Sequence, residues 1–238
     1  MGRLTGLEIW GDFACFTRPE LKVERFSYPV ITPSAARGIF EAVYWKPEFR
    51  WVVDRIELLT MPRWIGLRRN EVKDKAPSER TIRQWMTGKT NIEPIWADGD
   101  AFWLGTDQKG RTQRQTMALQ QPHYRVFAHI EPWPGYESYQ RKFEAQFERR
   151  AKHGQCIYQP YLGCREFPAY FAWVDDRVDN PVKPIALDAD WGWMLYDVFS
   201  RQIPGTPEAS PQIQLFRCVV RSGVVEVPHY TSEEVVSS

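Results

Sequence analysis

The chain has 238 residues, of which 43% are apolar, enough for one large domain or two small ones with a substantial core. Its formal charge is only +1, so the overall balance does not by itself indicate a nucleic-acid-binding protein. We find no apolar run of membrane-spanning length and no apolar core of a secretory signal, and the four cysteines lack metal-binding or disulfide spacing. We therefore expect a reduced, cytoplasmic protein with no metal, no other cofactor and no membrane partner.

The first predicted strand covers residues 4–16. A short strand-like segment at 22–29 and a short helix follow it. Thr32 is a suitable N-cap and Pro33 suits the first helical position. Apolar residues recur at helical spacing at Ala36, Ile39, Phe40 and Val43. Pro47 prevents continuation, so the helix should end at Tyr44, Trp45 and Lys46. The three side chains either reach solvent there or pack under the next strand.

A second strand is predicted at residues 50–59, and a basic segment follows it. Between residues 60 and 90 there are eight basic and three acidic residues, an excess of five positive charges. Apolar residues are sparse in this stretch. The composition indicates an exposed basic insertion that contacts a polyanion, or else a solvated loop.

Short strands at 95–97 and 101–104 and a stronger one at 123–131 come next. In the last, Tyr124 begins a set of residues that alternate toward the core, and His123 begins the set on the opposite, open face. A second helix is predicted from 135 to 153, and a fourth strand from 156 to 162. This order predicts an α+β fold whose residues 1–162 form a ferredoxin-like, RRM-type domain, with a basic insertion at about 60–118.

Residues 163–238 are predicted to form an antiparallel β part. Strands are expected at 169–174, 191–198, 213–220 and 224–228. The dipeptide Ser222-Gly223 is typical of the turn of a two-residue hairpin. We therefore expect two parts, divided at residue 162.

Several motifs together resemble the Dvulg-subtype Cas protein of type I-C CRISPR systems, within the repeat-associated mysterious protein (RAMP) superfamily. They lie in order at residues 10–20, 28–38, 43–47, 161–167, 191–197 and 223–228. The resemblance implies an RNA-binding, ferredoxin-like fold. It also implies metal-independent cleavage of CRISPR precursor RNA within its repeat hairpins, after which the protein stays on the mature guide RNA with the other interference-complex subunits.

The reaction that this resemblance implies uses the RNA's own 2′-hydroxyl as the nucleophile. The protein must align the hydroxyl, move its proton, and neutralise the developing charge. Tyr44 matches the family's catalytic tyrosine. Gln120 and Gln121 occupy the neighbourhood of the family's basic Lys-His pair, and we include both positions with Tyr44 and His123 among the predicted catalytic residues. Either the nearby His123 serves as the acid–base group, or the ends of the motif align differently, or the protein is a weaker or altered nuclease.

Cations that flank these positions are the predicted RNA contacts. They are Arg37, Lys46, Arg68, Arg69, Lys73, Lys75, Arg111, Arg114 and Arg165. Two alternatives to the nuclease remain open. The glutamine pair favours a non-catalytic scaffold that caps the 5′ handle of the guide RNA, and the basic insertion also fits duplex DNA.

Overall fold

The computed structural model describes residues 2–21, 23–72, 75–92, 111–175, 182–205 and 210–237. Two compact units are distinguished. One contains residues 1–65 and 117–238, and the other contains residues 66–116. In the described part of the chain, every helix is too short or too polar to cross a lipid bilayer.

The residues that the structure describes form mainly β-strands, together with three α-helices. The strands are β1 (Thr5–Trp10), β2 (Phe13–Ala14), β3 (Arg25–Phe26), β4 (Phe49–Leu58), β5 (Trp64–Val72), β6 (Arg111–Gln120), β7 (His123–Pro132), β8 (Tyr170–Val174), β9 (Ala189–Asp197), β10 (Gln214–Arg221), β11 (Val224–Glu226) and β12 (Val236–Ser237). The helices are α1 (Pro33–Val43), α2 (Glu79–Met86) and α3 (Gln140–Lys152), the last preceded by a 3-10 turn at Glu137–Tyr139.

The main sheet has the strand order β12-β10-β11-β4-β7-β1-β8, with β9 paired to β10. Each of its described pairings is antiparallel. In a second sheet β6 lies between β2 and β3 and also pairs with β5. The molecule is therefore α+β with mostly antiparallel sheets, as predicted.

The core lies between the main sheet and helices α1 and α3. Trp51 of β4 contacts Phe40 of α1 and Phe147 of α3, with ring centroids 5.0 and 4.5 Å apart. All three rings are almost completely buried. Each contributes about 1.5–3 kcal/mol by leaving water, so this triple contact fixes both helices against the sheet.

Helix α1 begins and ends as the sequence predicts. The backbone N–H of Ala35 donates to Thr32 Oγ1 at 3.3 Å, which is the expected N-cap bond. Tyr44 leaves the helix in an extended conformation, because Pro47 and the start of β4 require the chain to turn back. The strands predicted at 50–59 and 123–131 are likewise confirmed, as β4 and β7.

The predicted fourth strand at 156–162 is wrong. Only an isolated bridge between Tyr161 and Pro168 occurs nearby, and the strand that pairs with β1 is β8. Gly163 explains the turn between them: its φ is +82°, and a Cβ there would overlap the backbone oxygen of Cys15. The chain folds tightly against β2 before it can enter the sheet. The division of the chain at residue 162 stays a prediction, and the predicted hairpin at 95–104 lies outside the described residues.

The prediction that one whole face of β7 is open is also wrong. Arg125, Phe127 and His129 lie on that face and are all buried. Arg125 donates to Glu57 at 2.7 Å, and Asp54 lies 2.7 Å from the ring of His129. Partners on the neighbouring strand thus close this face, and only the end at His123 remains partly open.

Candidate functional site

Tyr44 lies where α1 ends, with its ring against Phe49 at 5.5 Å. The residue is only 6% exposed. Its hydroxyl makes no hydrogen bond to any residue in the described part of the chain. The hydroxyl oxygen is not completely enclosed by protein atoms. The ring is therefore part of the core, which agrees with the alternative that Tyr44 packs under the next strand. The hydroxyl stays available to a substrate.

Two charged groups act on the Tyr44 phenol. Burial raises its pKa above the ordinary value, Glu48 raises the pKa further, and Arg150 opposes both effects. Arg150 is held in place because its Nε donates to the carbonyl of Val43 at 2.6 Å. The phenol therefore remains protonated at neutral pH and is suited to donating a hydrogen bond rather than to accepting a proton.

Glu48 is a residue that the sequence analysis missed. Its Oε2 atom is buried and has no hydrogen-bond partner among the described residues. Such an atom is costly unless something else uses it. Trp45, 51% exposed, and Lys46, also exposed, lie between Tyr44 and Glu48 in the sequence. We name Tyr44, Trp45, Lys46, Glu48 and Arg150 the helix-end site.

A second candidate lies at the turn between β6 and β7. It is an open cleft of about 370 Å³, and we name it the hairpin cleft. His123 Nε2 lies 2.8 Å from Glu8 Oε1 across the β1–β7 pair. The lining residues are Glu8, Trp10, Gly11, Asp12, Thr60, Gln121, Pro122 and His123.

The backbone at Gln121 is held in an unusual conformation with a φ of +47°. Its N–H donates to the carbonyl of Asp12 at 2.7 Å, and Thr60 Oγ1 donates to its carbonyl at 3.3 Å. Gln120 is exposed on the same hairpin. The structure therefore brings together three of the four predicted catalytic residues.

Tyr44 is not among them. It contacts Phe49, which pairs with Pro132 at the far end of β7 from His123. Pro132 and His123 are nine positions apart on β7, which is about 30 Å at the usual rise of a strand. Tyr44 and His123 therefore cannot act on the same phosphate, and the predicted site divides into two.

Seven of the nine predicted RNA contacts fall into three groups. Lys46, Arg68, Lys75 and Arg165 are exposed. Arg69 and Arg114 are half-buried and lie 3.1 and 3.8 Å from Glu71. Arg37 is paired internally with Glu41 at 2.6 Å and Asp197 at 3.1 Å.

Two of the predicted contacts are not covered by these groups. Lys73 lies outside the described residues, and Arg111 is described only as backbone at the start of β6. The exposed cations are thus accessible to a polyanion. The charge of Arg37 is already neutralised by ion pairs with Glu41 and Asp197.

Residues 6–228 match a family model described as CRISPR-associated protein (Cas_Cas5), so the chain is a CRISPR-associated protein. A crystal structure titled as a CRISPR-associated protein shares the fold, with a TM-score of 0.66, 18% identity, and coverage of 99% of this chain and 97% of the other.

The chain belongs more particularly to the Cas5d family. It is 41% identical over 234 residues to the CRISPR pre-crRNA endoribonuclease Cas5d of Mannheimia succiniciproducens, with 96% of each protein covered. It is 38% identical over 247 residues to the protein of the same name from Thermus thermophilus, covering 99% of this chain and 95% of that protein. The family predicted from the motifs is confirmed.

Proposed function

We propose that this Cas5d-family protein is an endoribonuclease that cuts CRISPR precursor RNA within its repeat hairpins. It then remains on the guide RNA as a subunit of a type I-C interference complex. The observation that carries this proposal is near full-length similarity to two proteins named CRISPR pre-crRNA endoribonuclease Cas5d. The basic, exposed residues of the insertion support a polyanionic partner.

The reaction is attack of a 2′-hydroxyl on the adjacent phosphate. The O–P bond that forms closes a 2′,3′-cyclic phosphate, and the bond that breaks releases a 5′-hydroxyl. The nucleophile is in the substrate, so the protein's work is alignment, proton transfer and charge neutralisation. These tasks require a group that accepts the 2′ proton, a donor that gives a proton to the leaving 5′-oxygen, and nearby cations that neutralise the phosphate.

The helix-end site fits these tasks best. The hydroxyl of Tyr44 donates a hydrogen bond to the leaving 5′-oxygen and is its proton source, because the raised pKa keeps the phenol protonated. Glu48 is the acceptor of the 2′ proton, since its buried oxygen has no protein partner in the described chain. Arg150 and Lys46 supply positive charge to the phosphate. The match of Tyr44 to the family's tyrosine supports the same choice.

The hairpin cleft is the competing reaction centre. There His123, paired with Glu8, would transfer the proton. Gln120 and Gln121 have no titratable group to assist it. The cleft is also lined by two carboxylates, Glu8 and Asp12, which repel a phosphate. We therefore place the chemistry at the helix-end site and assign the hairpin cleft another role below.

We also propose that β1, α1, β4, β7, α3 and β8 form a ferredoxin-like, RRM-type unit. The antiparallel order β8-β1-β7-β4 supports this assignment, as does the packing of α1 on β4 and of α3 on β7 and β8. In modules of this type the face opposite the helices binds RNA.

A non-catalytic scaffold that caps the 5′ handle of the guide is the second candidate. The replacement of the basic pair by Gln120 and Gln121 favours it, because neither side chain can transfer a proton at neutral pH. Duplex DNA remains a further predicted partner of the exposed cations Arg68 and Lys75.

The experiment that tests the proposal is cleavage of the cognate repeat RNA by the purified protein in excess EDTA. We expect a 2′,3′-cyclic phosphate and a 5′-hydroxyl, and no cleavage of a substrate with a single 2′-deoxy sugar at the cut. Absence of any cleavage of the cognate repeat would favour the scaffold. Cleavage of the deoxy substrate would mean that the nucleophile is not the 2′-hydroxyl.

A further inference from the structure

We propose that Trp10 and Tyr170 form a stacking site for one unpaired RNA base, held in the hairpin cleft beside His123. The proposal adds a binding site to the proposed function and rests on RNA being the ligand. It assigns a role to the open end of the sheet that cleavage at the helix-end site does not require.

The three rings are aligned by the register of the main sheet. Trp10 of β1 is the direct partner of His123 on β7 and of Tyr170 on β8. Directly paired residues point to the same side of a sheet. The Trp10 ring lies 6.2 Å from that of Tyr170 and 5.9 Å from that of His123, so the rings make a continuous row.

This row faces solvent, although aromatic residues of its size are usually buried. Trp10 is 37% exposed and Tyr170 is 49% exposed. Their neighbours Ile9 and Tyr124, which point to the opposite side, are buried, and the Tyr124 ring lies 6.3 Å from that of Phe16. The exposure therefore belongs to one defined side of the sheet.

The polar lining of the cleft selects a base rather than a phosphate. Among the described residues that line it there is no lysine or arginine, whereas Glu8 and Asp12 are carboxylates. An anionic phosphate is repelled there, while a neutral base is not. Gln121 and Thr60 add amide and hydroxyl groups that can bond the edge of a base.

The cleft is also preformed and small. Gln121 adopts a left-handed backbone, which is unfavourable for a residue with a side chain, and contacts with Asp12 and Thr60 hold it there. A volume of about 370 Å³ is at the low end of ligand pockets. It suits a single base lifted out of a stack and excludes a duplex.

The test uses repeat RNA with 2-aminopurine placed at one unpaired position at a time. The cut position is first mapped with unmodified RNA, and a 2′-deoxy sugar is then placed there so that binding is measured without cleavage. If the protein does not cut, the 2-aminopurine RNA is used without the deoxy sugar. We expect strong quenching at one position when the protein is added, because a stacked 2-aminopurine loses its fluorescence.

Substitutions at Trp10 and Tyr170 test whether these two rings form the stacking site. Trp10→Ala should abolish the quenching and weaken RNA binding at least about fivefold, since one stacked base contributes that much or more. Tyr170→Ala should reduce the quenching, and Trp10→Phe should keep most of it. Trp193→Ala is the matched control, because Trp193 is an exposed tryptophan, at 56%, on β9.

The outcomes separate the two proposals. Quenching at no position, or quenching that persists in both Trp10→Ala and Tyr170→Ala, would overturn the stacking site even if the protein cuts RNA well. Quenching that depends on Trp10 in a protein that never cuts would support the stacking site and remove the proposed nuclease function. Loss of quenching in the Trp193→Ala control as well would mean that the effect is not specific to the row.

Discussion

Tyr44 and His123 lie at opposite ends of the β4–β7 pair. Tyr44 packs on Phe49, whose strand partner is Pro132, and His123 is at the other end of the same ten-residue strand. A distance of about 30 Å separates the two ends. A repeat hairpin is long enough to touch both, so we assign cleavage to one end and base recognition to the other.

Tyr44→Phe should cut repeat RNA at least about a hundredfold more slowly at saturating RNA. The change removes only the hydroxyl and leaves the buried ring on Phe49, so folding and RNA affinity should be nearly unchanged. Single-turnover cleavage and equilibrium binding measure the two effects separately. Equal rates for the variant and the parent would exclude Tyr44 from the reaction.

His123→Ala should change the single-turnover rate at saturating RNA by less than about threefold, because proton-transfer groups contribute about 10²–10⁴ and His123 is not at the proposed reaction centre. Its effect should instead fall on the quenching of a base in the hairpin cleft. A hundredfold loss of rate with intact binding would move the chemistry to the His123–Glu8 pair.

Glu48→Gln should reduce the rate by about 10²–10⁴, since the amide cannot accept the 2′ proton. The substitution keeps the shape of the side chain and places no new charge beside Tyr44. Glu226→Gln, at an exposed position on β11, is the control and should cut like the parent. Parent-like cleavage by Glu48→Gln would leave its buried oxygen without a function in the reaction.

The Arg68→Ala, Lys75→Ala double variant should bind RNA more weakly and with less dependence on salt. Each lost phosphate contact should lower the slope of log affinity against log salt by about 0.7–0.9. Arg217→Ala is a suitable control, because that exposed guanidinium already pairs with Asp190 at 2.6 Å. An unchanged slope would assign the insertion to a protein partner or to solvent.

Cys164 should react with iodoacetamide as a thiolate at a lower pH than an ordinary cysteine. A hydrogen bond with the Cys15 thiol lowers the pKa of Cys164, and Arg25, 3.3 Å from its sulfur, lowers the pKa further. The rate should therefore reach half its maximum below pH 8.5, the usual thiol value.

The measurement is best made in a Cys156→Ser background, because Cys156 is exposed. Arg25→Ala should shift the midpoint to higher pH, since a cation that stabilises the thiolate is lost. Burial raises the pKa of Cys218 to about 12, so that thiol should stay unmodified in the folded protein. An unchanged pH midpoint of the iodoacetamide reaction in Arg25→Ala would contradict this account.

Local signals predicted the elements that local physics determines. The N-cap at Thr32, the stop at Pro47 and the alternation in β7 were sufficient for α1 and for the third strand. The fourth strand failed because an apolar run at 156–162 looks like a strand, while the close approach of Gly163 to Cys15 depends on a contact across about 150 positions in the sequence. No periodicity contains that information.

The sites were predicted only in part for the same reason. Tyr44 and His123 were identified by residue type and by resemblance, but strand pairing decides which residues surround them. Arg150 reaches Val43 from a distant helix, and Glu8 meets His123 only through the β1–β7 register. The alternation of Trp10 with Ile9 was visible in the sequence, yet its partner Tyr170 was not.

The pairing of the outer strands has a consequence for any attempt to shorten the protein. β8 covers the side of β1, and β11 covers the side of β4. A fragment ending at residue 162 would lack both of these covers, and its two-sided row of unpaired amides and carbonyls would invite strands from other molecules. Such a fragment should self-associate rather than remain a smaller working module, because the late strands are what pair with the edges of the early ones.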